Sequence, residues 1–112
     1  MMWEVAEEDG KLRLRPKDPE LKIGGYGYSD VVVYKGAPVS VGSIKKYLVE
    51  AGMDVDVHVD GNELVVELRE GDPQKVVDVV SQVMVNADKD LTTFEKVVRE
   101  SIESYLRKTG QS

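Results

Sequence analysis

Asp54-Val55-Asp56-Val57-His58-Val59-Asp60-Gly61-Asn62-Glu63-Leu64-Val65-Val66-Glu67-Leu68-Arg69 is the stretch whose pattern decides the fold of this chain. Val55, Val57 and Val59 alternate with polar residues, a Gly-Asn pair intervenes, and Leu64, Val66 and Leu68 resume the alternation. Successive side chains of a strand point to opposite faces, so this is a β-hairpin with one buried face. With Gly61-Asn62 as a two-residue loop, Val59 lies opposite Leu64, Val57 opposite Val66 and Val55 opposite Leu68. Asp54 then meets Arg69 on the other face. A slip of one residue would turn one strand's apolar set into water, whereas a slip of two, with Asp60-Gly61 as the turn, keeps the parity. The hairpin speaks to fold and hardly to chemistry.

Towards the N-terminus, Trp3, Val5, Leu12 and Leu14 form two short alternating strands around Asp9-Gly10. That turn sets Glu8 opposite Lys11, Glu4 opposite Arg15 and Val5 opposite Leu14, with opposite charges on one face and apolar residues on the other. Pro16 and Pro19 end the second strand, because proline cannot donate to a ladder. Residues 16–29, with Gly24-Gly25-Tyr26-Gly27-Tyr28, are expected as a loop. Val31 to Tyr34 is an apolar run of strand length before Gly36 and Pro38.

Ser40 or Ser43 caps a first helix carrying Ile44, Tyr47, Leu48 and Ala51 on one side, and Gly52 stops it. Asp72-Pro73 supplies an N-cap and a first-turn proline for a second helix. Its Val76, Val77, Val80, Val83, Met84 and Ala87 span an arc wide enough to predict a largely buried element. Thr92-Thr93-Phe94-Glu95 matches a capping box, which predicts a third helix with Phe94, Val97, Val98, Ile102, Tyr105 and Leu106 on one stripe. Glu95/Arg99 and Arg99/Glu103 pairs are expected on its outer side. Residues 108–112 are expected to fray.

The expected fold class is therefore α+β. It is a two-layer domain over residues 1–112 with an antiparallel or mixed sheet and three helices, in the order ββ-β-α-ββ-α-α. The last two helices are expected against one sheet face. The segment from Val31 to Ala87 reads βαββα, a split βαβ arrangement lacking its last strand.

The 112 residues suffice for one hydrophobic core, and 41% apolar with 32% charged residues is ordinary for a globular protein. No cysteine is present, which excludes disulfides, thiolate metal sites and a cysteine nucleophile, and points to a cytoplasmic protein. No run approaches the roughly 18 apolar residues of a membrane span, and the N-terminus is acidic rather than signal-like. Twenty valines with two asparagines and three glutamines give a mild thermophilic character. Charge is uneven: residues 1–10 carry a net −4, residues 11–49 a net +5 and residues 50–112 a net −7.

His58 shares a strand face with Asp54, Asp56 and Asp60, a set of metal-ligand types. Alternate side chains on a strand stand about 7 Å apart, too far to converge on one ion. A solvated outer face is therefore expected, with no metal and no cofactor. The Gly24–Tyr28 stretch lacks a GxxxxGK[ST] pattern and precedes a strand, which excludes a phosphate loop. Tyr26 and Tyr28 can stack on bases while Lys11, Arg13, Arg15, Lys17, Lys22 and Lys35 neutralise phosphates, so a nucleic-acid-binding segment over residues 11–47 is one reading. Ser29, Ser40, Ser43, Ser81, Ser101 and Ser104 fall at caps, turns or helix faces, and the single histidine has no nucleophile beside it. Enzymatic activity is not expected. The two C-terminal helices carry more apolar surface than a small sheet covers. A protein-binding or assembly module is therefore the leading reading: a homodimer formed through Phe94, Val98, Ile102, Tyr105 and Leu106.

Overall fold

The computed structural model describes residues 2–26 and 29–108, which hold seven strands and two helices. The first hairpin joins β1 (Trp3–Glu8) to β2 (Lys11–Pro16), with Glu8 opposite Lys11, Glu4 opposite Arg15 and Val5 opposite Leu14 as the sequence predicts. Asp9 and Gly10 take φ of 48° and 75°, the doubly left-handed turn whose twist suits a two-residue hairpin and which glycine enters without a Cβ penalty. The second hairpin joins β6 (Asp54–Asp60) to β7 (Glu63–Glu70) in the register derived above, from Val59 opposite Leu64 to Val55 opposite Leu68. Gly61 has φ 60° and Asn62 lies outside the left-handed region. Gly61-Asn62 is thus the turn, and Asp60-Gly61 is not. A register irregularity next to Asp54 puts Glu70 opposite it, yet Arg69 still reaches the Asp54 carboxylate. The two hairpins join through β2 and β7 into an antiparallel sheet ordered β1-β2-β7-β6.

Residues 21–26 correct the expected loop. Leu21–Tyr26 is a strand, β3, paired antiparallel with β4 (Ser29–Tyr34), which pairs in turn with β5 (Ala37–Ser40). A Gly-Gly pair weakens β propensity but does not prevent pairing when a neighbour supplies the ladder and Leu21 is buried. Pro38 is tolerated because β5 is an edge strand. The described residues therefore form two antiparallel sheets of four and three strands, not one.

Helix α1 (Val41–Glu50) starts at Ser40, whose Oγ accepts from the Ser43 N–H at 3.1 Å. It ends in a paired cap: Met53 N–H donates to the Leu48 carbonyl and Gly52 N–H to that of Val49. Gly71, where the chain leaves β7, has φ 143°, and a Cβ there would lie 2.7 Å from Met53 Cγ, so only glycine lets the chain pass.

Helix α2 (Pro73–Lys108) replaces both expected C-terminal helices. Asp72 caps it as predicted, its Oδ1 accepting from Gln74 N–H at 3.0 Å. Neither glycine nor proline occurs between Gln74 and Lys108, so nothing stops the helix at the presumed capping box. The Thr92 and Thr93 hydroxyls instead donate back to the carbonyls of Asp88 and Lys89, a bond that threonine makes within a helix.

One core joins both sheets and both helices. Trp3, Leu12, Leu14, Val55, Leu64 and Val66 come from the four-stranded sheet, and Leu21, Val32 and Tyr34 from the other. Ile44 and Leu48 of α1 and Val76, Val80 and Met84 of α2 complete it. Only that narrow stripe of α2 is fully buried; Val77, Val83 and Ala87 are half-exposed. The second half of α2 packs on neither sheet, which corrects the expectation that both C-terminal helical segments lie against one face.

Candidate functional site

Two surfaces stand apart from the core: the outer face of the four-stranded sheet, and the second half of α2. On the sheet, β strands bring charges of both signs into one layer. Arg13 donates to Asp60 at 3.1 Å and Arg15 to Glu63 at 2.9 Å, while Lys11 lies 3.7 Å from Glu67. Arg69 spans Asp54 and Asp56, at 2.9 and 2.6 Å, and Lys45 of α1 reaches Asp56 at 2.9 Å. Val65 is fully buried beneath this layer, between Arg13 and His58 in the register. Long arginine stems cover apolar surface while keeping their charge in water, so this face is more than a solvated exterior.

The pairing shows in the acidities. Hydrogen bonds from Lys45 and then Arg69 lower the Asp56 pKa to about 2, and Arg15 chiefly lowers that of Glu63. Because the folded value of Asp56 lies below its ordinary value of 3.8, its contribution to stability is complete above about pH 4. It is lost as the pH falls towards 2. Asp56→Asn is therefore expected to flatten the acid side of a melting-temperature profile between pH 4 and 2. If the variant and the parent lose melting temperature in parallel over that range, the pairing contributes nothing.

The same layer bears on the basic residues singled out for nucleic acid. Lys11, Arg13 and Arg15 sit on the four-stranded sheet and are each engaged by an acid. Lys17 lies in the β2–β3 connection and Lys22 in β3. Lys35, in the β4–β5 turn, places its ammonium 5.3 Å from the Tyr34 ring centre. These residues are spread over both sheets and their connections rather than along one ladder. Tyr28 and the side chain of Tyr26 lie outside the described residues, as do the residues beyond Lys108 that were expected to fray. His58 is exposed, and the neighbouring carboxylates of Asp54, Asp56 and Asp60 are engaged by Arg69, Lys45 and Arg13.

The second half of α2 is the other surface. From Thr92 to Lys108 every residue is exposed except Ser104, which is half-buried. At 1.5 Å per residue the helix from Leu91 to Lys108 extends about 26 Å beyond the core. The molecule measures 65 × 28 × 27 Å with a radius of gyration of 17.5 Å, against about 13 Å for a compact domain of this length. All the predicted interface residues ride on this arm. Phe94 and Tyr105 are 64% and 67% exposed, Ile102 55%, and Val98 and Leu106 each 40%. Phe94, Val98 and Ile102 share one open face of the arm with Glu95, Arg99 and Glu103. The Glu95/Arg99 and Arg99/Glu103 pairs expected within the helix are not among the ion pairs formed by the described residues.

Leu91 was not singled out from sequence, yet it begins the arm's apolar stripe. Continuity of phase is the signal that reveals it. At about 100° per residue, Val76, Val80 and Met84 fall on the same 80° arc as Leu91, Phe94, Val98, Ile102 and Tyr105. The face that is buried in the core continues outward along the arm.

An uncharacterized protein of Archaeoglobus fulgidus is 40% identical over 112 residues, an alignment that covers 95% of this chain and 92% of the relative. The chain belongs to the family of that protein. No family model matches the sequence, and no solved structure matches the fold. The scarcity of labile side chains is compatible with a relative from a thermophilic archaeon. Among the described residues no helix is long and apolar enough to cross a membrane.

Proposed function

We propose that this protein is a non-enzymatic assembly module that acts through protein–protein contact, self-associates, and uses the arm of α2 as its contact element. One observation carries this reading: the apolar arc that is fully buried at Val76, Val80 and Met84 runs on, exposed, through Phe94, Val98, Ile102 and Tyr105. An isolated helical segment of about 17 residues is marginal in water without packing of its apolar face. An exposed apolar stripe on a soluble scaffold marks a surface that a protein covers.

The mass in solution tests it. Light scattering over a concentration series is expected to give twice the chain mass of 12.5 kDa. A strictly monomeric mass up to high micromolar concentration would return the stripe to a monomer's surface and sink self-association. Titration with single- and double-stranded DNA and RNA at two salt concentrations separates this reading from nucleic-acid binding through residues 11–47. Phosphate-driven affinity falls steeply with salt, whereas apolar burial does not weaken in that way.

A further inference from the structure

We infer that the occupant of the arm is a second copy of the chain, lying antiparallel, with the two-fold axis at Val98. This inference rests on the self-association proposed above and adds the partner's direction and register.

Leu91, Phe94, Val98, Ile102 and Tyr105 are separated by 3, 4, 4 and 3 residues. That spacing reads the same in both directions about Val98. In an antiparallel pair centred there, Val98 meets its own copy, Phe94 faces the second copy's Ile102, and Leu91 faces its Tyr105. A two-fold interface requires such a self-complementary patch. Both the 91–102 and 94–105 intervals are eleven residues, a repeat of 3.67 per turn that keeps the seam nearly straight along the arm.

The charges beside the stripe agree. In an antiparallel pair each flank meets the same flank of the partner. On one flank, Glu95 then lies about 3 Å along the axis from the level of the second copy's Arg99, and on the other Asp90 lies about as far from the level of its Lys108. Both are opposite-charge pairs, and they outnumber the one like-charge approach on these flanks at that axial offset, Arg99 to its own copy. Glu95 and Arg99 form no ion pair with each other within the chain, so neither must break an internal bond to engage the partner.

The parallel alternative is excluded by shape. The core covers the same arc of α2 at Val76, Val80 and Met84. Two parallel helices facing through that arc would place both bodies in one space. Antiparallel packing sends the bodies to opposite ends. The second copy's Lys108 then arrives beside Asp90, at the rim of a cavity of about 500 Å³ that is also lined by Tyr47, Asn86 and Ala87.

Because the chain contains no cysteine, single cysteines report the register directly. Val98→Cys treated with a short bismaleimide is expected to give a covalent dimer. Leu91→Cys alone and Tyr105→Cys alone are expected to stay uncrosslinked, because two-fold copies of either residue stand about 21 Å apart along the axis. Leu91→Cys co-refolded with Tyr105→Cys is expected to crosslink. Circular dichroism and light scattering on each variant confirm the fold and the mass. A dimeric mass with Leu91→Cys crosslinking to itself, or with no crosslink at Val98→Cys, would overturn the antiparallel register while leaving self-association standing. A monomeric mass would overturn both.

Discussion

Val66→Asp is expected to abolish cooperative unfolding and leave a chain without a folded baseline. Val66 is fully buried in β7, opposite Leu12 of β2 on one side and Val57 of β6 on the other. An aspartate there would place a carboxylate among apolar side chains with no partner to compensate it. The desolvation cost is several kcal/mol even if the group protonates, comparable with the whole stability of a small domain, about 5–15 kcal/mol. The strand joins the two hairpins, so its loss unzips the four-stranded sheet from both sides. His58→Ala, on the exposed face of the adjacent strand, is expected to change stability by less than about 0.5 kcal/mol. Thermal melts of the two variants decide the matter, and similar midpoints would mean that the faces of this sheet have been assigned the wrong way round.

Val98→Lys combined with Tyr105→Lys is expected to give a folded monomer. Neither residue belongs to the core cluster, and both are exposed within the chain. The far-ultraviolet spectrum of the body and its melting transition should therefore survive. Assembly should not: two lysines on the stripe add four like charges to a symmetric apolar interface and leave them unpaired there. The readout is a mass that falls from two chains to one at fixed concentration, with the arm losing part of its helicity. A variant that unfolds would show that the stripe serves as internal core. A variant that stays dimeric would place the interface elsewhere on the molecule.

The register of the first hairpin was legible residue by residue, and that of the second from Val55 to Val59, because a two-residue turn and a period of two leave few consistent pairings. Spacing alone did not exclude Asp60-Gly61 as the second turn, and it put Arg69 opposite Asp54 where Glu70 lies. The N-cap at Asp72 and the stop at Gly52 were equally plain, since each is a local device. The strand at Leu21–Tyr26 was not. Its only apolar signals are Leu21 and Ile23, and the Gly24-Gly25 pair that follows carries the composition of a loop. What makes it a strand is the neighbouring ladder of β4, which lies outside the segment itself. The break expected at Thr92 failed for a related reason. A Ser/Thr-x-x-Glu pattern marks a helix start only where the chain has left a helix, and here the residues before it are already helical.

The apolar stripe of the arm was legible in the sequence as a stripe, and its residues Phe94, Val98, Ile102, Tyr105 and Leu106 are exposed within the chain. Periodicity states which face of an element is apolar. It does not state what covers that face, because covering depends on where remote elements of the chain come to lie. From the sequence alone, then, came most of the hairpin pairings, the apolar stripes of residues 76–87 and 94–106 as those of two separate helices, and the absence of cysteine chemistry, all of which are written in short-range spacing and composition. The tertiary structure alone decided that the strands divide into two sheets and that the core ends near Met84. It also decided that one unbroken helix carries the same apolar face from the interior into solvent, since only the placement of the sheets against α2 determines where burial stops.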